Sequence, residues 1–136
     1  MSAGKPTDTP GAPAPDPKAS PAHLLERFVS GEQVFGGLLL DVRRDVVAMP
    51  DGHHATREYV VHPGAVTVVP LLDDGRLVME RQYRYPVGRV MLEFPAGKLD
   101  HGEPPLQCAG RELAAETGYR AREWAVGGTL HSAIGN

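Results

Sequence analysis

The chain has 136 residues, 41% hydrophobic and 23% charged, which sets a single globular domain as the expectation. A formal net charge of −3 and a pI near 6.0 leave no basic footprint for nucleic acid, so an anionic ligand has to be met by local arginines. The one cysteine, Cys108, excludes an intrachain disulfide and fits a reducing cytoplasm. No stretch has the length and apolarity of a membrane span or a signal peptide.

Residues 1–22, a Pro/Ala-rich stretch, hold six of the 13 prolines and almost no large apolar side chains. Such a segment buries too little surface to offset its ordering entropy and is expected to be a disordered tail. HLLERFVSGEQV (23–34) opens with an apolar cluster and then breaks at Ser-Gly. GGLLLDVRRDVVAM (36–49) and HHATREYVVH (53–62), joined by Pro50-Asp51-Gly52, predict an antiparallel hairpin. AVTVVPLL (65–72) reads as a central strand, and Asp73-Asp74-Gly75 as a tight turn into a strand over RLVMERQYRYP (76–86). VMLEFP (90–95) is a further strand, followed by a loop at Pro95-Ala96-Gly97-Lys98. WAVGGTLHSAIGN (124–136) begins a strand, breaks at Gly127-Gly128 and resumes. His53, His54 and His62 have no partner at metal-ligand spacing and are expected to be surface or structural residues.

The one clear helix lies between Glu103 and Gly118, with Pro104-Pro105 at its start and Gly118 as its stop. Leu106, Ala109 and Leu113, with Cys108 as a small buried hydrophobe, form the stripe expected to face a sheet. One clear helix after several strands gives an α+β class. Glu112 and Glu116 are four residues apart and share a helix face. Two like charges there repel, and a hard divalent cation such as Mg²⁺ or Mn²⁺ turns that repulsion into coordination. A solvated pair of glutamates is the bland alternative, and E-x-x-x-E alone does not exclude it.

The wider spacing is more specific. Gly97, five residues, Glu103, seven residues, Arg111-Glu112-Leu113, then Glu116, Gly118 and Tyr119 resemble the Nudix box, G-x5-E-x7-R-E-U-x-E-E-x-G-U, with U apolar. One fixed position departs from it, where Ala115 replaces the first of the paired glutamates. REYVVHPGAV (57–66), ERQYRYPVG (80–88) and LEFPAGKLDHGE (92–103) are similar to the ADP-ribose pyrophosphatase branch, so the likeness covers roughly residues 37–134.

That resemblance implies a Nudix-type mixed β-sheet with the Nudix loop–helix, preceded by an N-terminal antiparallel hairpin. It divides the chain into the tail 1–22, N-terminal strands 23–62 as a dimerisation element, and a Nudix domain over 63–136. It implies metal-dependent hydrolysis of the pyrophosphate of ADP-ribose, or a related nucleoside diphosphate sugar, to AMP and ribose 5-phosphate, in the cytoplasm. Glu112 and Glu116 match the metal-binding carboxylates, and Ala96 matches a backbone ligand. Arg111 is expected to orient a box carboxylate, and Glu103 to stabilise the loop–helix turn and join the metal network. Arg84 matches an arginine on the substrate phosphates, against the alternative of a strand ion pair with Glu80 or Glu93. Arg57 is a second candidate, delivered across a homodimer. Ala115 is expected to weaken metal affinity rather than abolish it. The family continues past the position of Asn136, so the chain reads as truncated; the alternative to an active enzyme is a weakly active or inactive fragment that binds nucleotide or dimerises.

Overall fold

The computed structural model describes residues 21–132 and residue 134. The tail expected over residues 1–22 lies outside the described residues except for Pro21 and Ala22, which open a 3-10 turn at Pro21–Leu24. The chain divides between Val61 and His62 into two compact units.

The first unit is a three-stranded antiparallel sheet in the order β1-β2-β3, with β1 at Arg27–Gly36, β2 at Asp41–Ala48 and β3 at His54–Val61. The expected hairpin is β2–β3. Its turn is closed by the Met49 N–H on the His53 carbonyl (2.8 Å) and by the His53 N–H on Asp51 Oδ1 (3.0 Å). Opposite charges face each other across this sheet. Glu32, Arg44 and Glu58 occupy one cross-strand row, and Arg44 Nε donates to Glu58 Oε1 at 2.7 Å. Such rows select a register, although each exposed pair stabilises by only about 0–1 kcal/mol.

The Ser-Gly break expected near residue 30 is corrected here: β1 runs through Ser30 and Gly31 with an irregularity between Phe28 and Ser30. Gly31 pairs with Asp45, whose carboxylate occupies the space where a Gly31 side chain would lie. Asp45 is held there by the Tyr59 hydroxyl at 2.8 Å. The glycine therefore serves cross-strand packing, not a chain break.

The second unit carries two antiparallel strand pairs and one helix, α1, at Pro105–Thr117. β4 (Ala65–Thr67) pairs with β7 (Ala96–Lys98), and β5 (Glu80–Arg84) pairs with β6 (Arg89–Glu93). The α+β class, with a loop–helix following the strands, is the architecture found. Three expectations need correction. AVTVVPLL is not one strand, because Pro70 has no N–H with which to extend a ladder past Val69. Its end forms a separate tight turn, with the Leu71–Leu77 bridge and the Gly75 N–H on the Leu72 carbonyl. The segment at 95–98 is not a loop: Ala96–Lys98 form β7, with the Val68 N–H on Pro95 O (2.8 Å) and the Leu99 N–H on Gly64 O (3.1 Å) prolonging the ladder. No strand forms over the described residues from Trp124 onward, where no strand partner is present among them.

Helix α1 packs on β4 and β7 through Ala109 and Leu113, which meet Val68 and Val66. Cys108 is buried as expected, whereas Leu106 is 53% exposed and leaves the stripe assigned to it. It sits in the first turn of α1 and is not among the residues clustered with Val66 and Val68. Burying one Leu113-sized side chain stabilises by about 2 kcal/mol, so this small core is the main anchor of the helix. Gly118 ends the helix in the left-handed conformation (φ 75°), its N–H on Ala114 O.

Candidate active site

The site is assembled where the loop after β7 turns into α1. Pro104 is extended (ψ 140°) and Pro105 opens the helix, where a missing N–H costs nothing. Just before them the Glu103 N–H donates to the Asp100 carbonyl, while Glu103 Oε2 accepts the Asp100 N–H, both at 3.0 Å. This reciprocal pair closes the turn.

Arg111, about two helical turns further on, reaches back into it. Its Nε and Nη2 donate to the two Glu103 oxygens at 2.9 and 2.7 Å. Nη1 donates to Glu112 Oε1 at 2.6 Å, and Nη2 also to the Lys98 carbonyl at 3.1 Å. One guanidinium thus joins two carboxylates and the end of β7, a bidentate arrangement that lysine cannot reproduce. The Arg111 bonds and the Asp100 N–H hold the Glu103 carboxyl down at about 2. Those carboxylates in turn push the Arg111 guanidinium above its ordinary range. Cys108 lies beneath, its thiol donating to the Lys98 carbonyl (3.3 Å) and pushed up by burial.

Glu112 lies directly over Gly97, so that any side chain at 97 would collide with its carboxylate. Glu116 accepts the Ala96 N–H on Oε2 at 3.0 Å. The structure therefore brings Gly97, Ala96, Glu103, Arg111, Glu112 and Glu116 together. The fourth turn position, Ala115, is exposed.

On the β5–β6 pair, alternation puts Glu80, Gln82 and Arg84 on one face with Glu93, which pairs with Glu80. Arg84 donates Nε to both Glu93 oxygens at 3.0 Å and Nη2 to Oε2 at 2.6 Å. Burial pushes the Glu80 carboxyl up, and the charges of Glu116 and Glu93 push it in the same direction. Arg84 is raised chiefly by Glu93, with Glu80 and Glu116 adding to it. Arg84 and the end of α1 therefore share one electrostatic neighbourhood. Glu80 was not singled out as a site residue from sequence; the E-x-x-x-R spacing on one strand face was the available signal. Arg57 belongs to the first unit, where Glu26 takes its Nη2 and Nε at 2.6 and 3.0 Å.

The family model for the NUDIX domain matches residues 61–135, which contain every box residue described above. The chain belongs to the Nudix family. It is 44% identical over 100 residues to the ADP-ribose pyrophosphatase of Bacillus subtilis, covering 74% of this chain and 54% of that protein. It is 45% identical over 108 residues to the ADP-ribose pyrophosphatase of Mycobacterium tuberculosis, covering 79% of this chain and 52% of that protein. A crystal structure of an ADP compounds hydrolase superposes with a TM-score of 0.64 at 28% identity, covering 74% of this chain and 55% of the other. The chain thus spans about half the length of the curated relatives it matches.

Among the described residues no group of three or more His, Cys, Asp or Glu side chains is gathered as a closed cage. What is present is a cradle: two glutamates on one helix face, with the side-chain-free backbone of Gly97 under Glu112 and the amide of Ala96 on Glu116. Oxygen ligands in small number would suit a hard divalent cation.

The Glu103 clamp has a pH signature. Its carboxyl is depressed in the folded chain from 4.5 to about 2, so its contribution to stability is present above pH 4.5 and lost as pH falls toward 2. Thermal melts of the parent and Glu103→Gln are expected to differ most above pH 4.5 and to converge in acid. A gap that widens on acidification contradicts the clamp.

Proposed function

We propose that this Nudix chain hydrolyses the pyrophosphate of ADP-ribose to AMP and ribose 5-phosphate, or that of a related nucleoside diphosphate sugar to the nucleoside monophosphate and the sugar phosphate. The carrying observation is the joined set Glu103–Arg111–Glu112 over Gly97, with Glu116 on Ala96. The ADP-ribose pyrophosphatases among its relatives support the substrate. Glu112, Glu116 and the Ala96 carbonyl would hold Mg²⁺ or Mn²⁺, and such a cation would supply charge neutralisation at the pyrophosphate and an activated water.

The chain's own residues do the rest. Arg111 fixes the Glu112 carboxylate over Gly97 while its other contacts keep the loop–helix turn closed. Ala96 N–H orients Glu116. Arg84 offers a guanidinium to the phosphates in a field otherwise set by Glu80, Glu93 and Glu116. These groups are placed before substrate arrives, and such preorganisation is what phosphoryl transfer requires. Arg57 is proposed as a second phosphate contact, delivered from a second copy. The exposed Phe28, Val29, Phe35, Tyr59 and Val60 of the first unit support a homodimer surface. The free, buried Cys108 is compatible with a cytosolic setting.

Incubation of the purified chain with ADP-ribose and Mg²⁺ is expected to release AMP. Absence of turnover with ADP-ribose and with other nucleoside diphosphate sugars overturns the activity, and turnover of the others without ADP-ribose overturns ADP-ribose as the substrate. Ala115→Glu adds a carboxylate to the Glu112–Glu116 turn and is expected to lower the Mg²⁺ concentration needed for half-maximal rate. Superimposable Mg²⁺ curves show that position 115 has no part in metal binding.

A further inference from the structure

The Arg84–Glu93 pair carries information about how an anion meets Arg84. Both oxygens of Glu93 are taken up by the Nε and Nη2 side of the guanidinium, at 3.0, 3.0 and 2.6 Å. Among the described residues no hydrogen bond engages Nη1. A guanidinium has five N–H groups in a fixed fork, so the end formed by Nη1 and the second Nη2 hydrogen stays open. The flat fork cannot turn independently of its gripped edge. Glu93 is largely shielded while Arg84 is about half exposed, so the carboxylate is the fixed partner and the arginine's far edge is the accessible one. The two residues come from neighbouring strands whose ladder is regular from Glu80↔Glu93 to Arg84↔Arg89, so the grip is built on rigid backbone.

We infer that Glu93 is a positioning residue for substrate: it grips one edge of Arg84 and presents the Nη1/Nη2 fork to a diphosphate oxygen. This rests on the reading of Arg84 as a phosphate contact given above. Glu93 itself meets no reacting atom.

The test is a kinetic cycle with ADP-ribose and Mg²⁺ on the full chain. Glu93→Gln keeps the shape but loses the charge-assisted grip. Its KM is expected to rise about tenfold or more with little change in kcat, the mark of lost binding that is uniform along the reaction. In an Arg84→Gln background the same change is expected to add no further KM increase, because there is no guanidinium left to hold. Arg84→Lys, which retains charge but offers no second edge, is expected to show a KM rise of the same order and covers the case in which Glu93→Gln does not fold. An unchanged KM in Glu93→Gln overturns the inference, as does an equal rise in both backgrounds. Failure of the parent chain to bind or hydrolyse ADP-ribose overturns the underlying reading as well, and that result is distinct from an active parent indifferent to Glu93.

Discussion

Gly97→Ala is expected to lower kcat roughly 100-fold while shifting the melting temperature by only about 2 °C. The added methyl would overlap the Glu112 carboxylate, the far end of a flexible side chain. Gly97 is not among the glycines with positive φ, so alanine fits the backbone of β7 without strain. The side chain of Glu112 yields instead of the strand, and in yielding it gives up its 2.6 Å bond from Arg111. A carboxylate displaced by about 1 Å is enough to cost two orders of magnitude in a preorganised site. Kinetics with ADP-ribose, alongside a thermal melt, separate the two effects. A collapsed melting temperature with full activity in the remaining folded protein assigns Gly97 to the fold and removes it from the site.

Arg111→Ala is expected to damage both properties, with a melting temperature lower by roughly 5 °C or more and activity reduced at least about tenfold. Glu103, whose side chain is only 7% exposed, loses both of its arginine bonds and keeps only the Asp100 N–H. Glu112 loses the donor that fixes it above Gly97. Arg111→Lys restores a positive charge but not the two-sided fork, so it is expected to recover part of the stability and little of the activity. Full activity in Arg111→Lys shows that charge alone suffices at this position. A melting temperature unaffected in Arg111→Ala shows that the Glu103 clamp does not hold the loop–helix turn.

Much of this arrangement was legible in the sequence, and the legible part is local. Helix α1 begins and ends where Pro105 and Gly118 predict, because caps act on their immediate neighbours. The β2–β3 hairpin follows from a turn signal between two Val-rich runs. Where reasoning from local pattern failed, a distant residue had intervened. Ser30-Gly31 reads as a break until Asp45 is placed across the sheet from it. Pro95-Ala96-Gly97-Lys98 reads as a loop until β4 is laid beside it, and Leu106 reads as core although only Ala109 and Leu113 join the cluster with Val66 and Val68.

The candidate site divides along the same line. Within the run Gly97–Tyr119, residue types and spacing carry the loop–helix turn and the shared face of Glu112 and Glu116, while the resemblance implied that Arg111 orients a box carboxylate and the structure shows it bound to Glu103 and Glu112. All of these are separations of a few residues, fixed by helical geometry and one turn. The sequence named Ala96 through the resemblance and left Arg84 open between substrate and a pair with Glu80 or Glu93; the contacts themselves were settled by folding. The Ala96 amide meets Glu116 because β7 pairs with β4 under the helix, and Arg84 meets Glu93, with Glu80 facing Glu116's charge, because β5 and β6 pair in one particular register. Periodicity tells a residue's side of its own element; it does not tell which other element that side will meet, and a one-residue slip of register would send Arg84 and Glu93 to opposite faces.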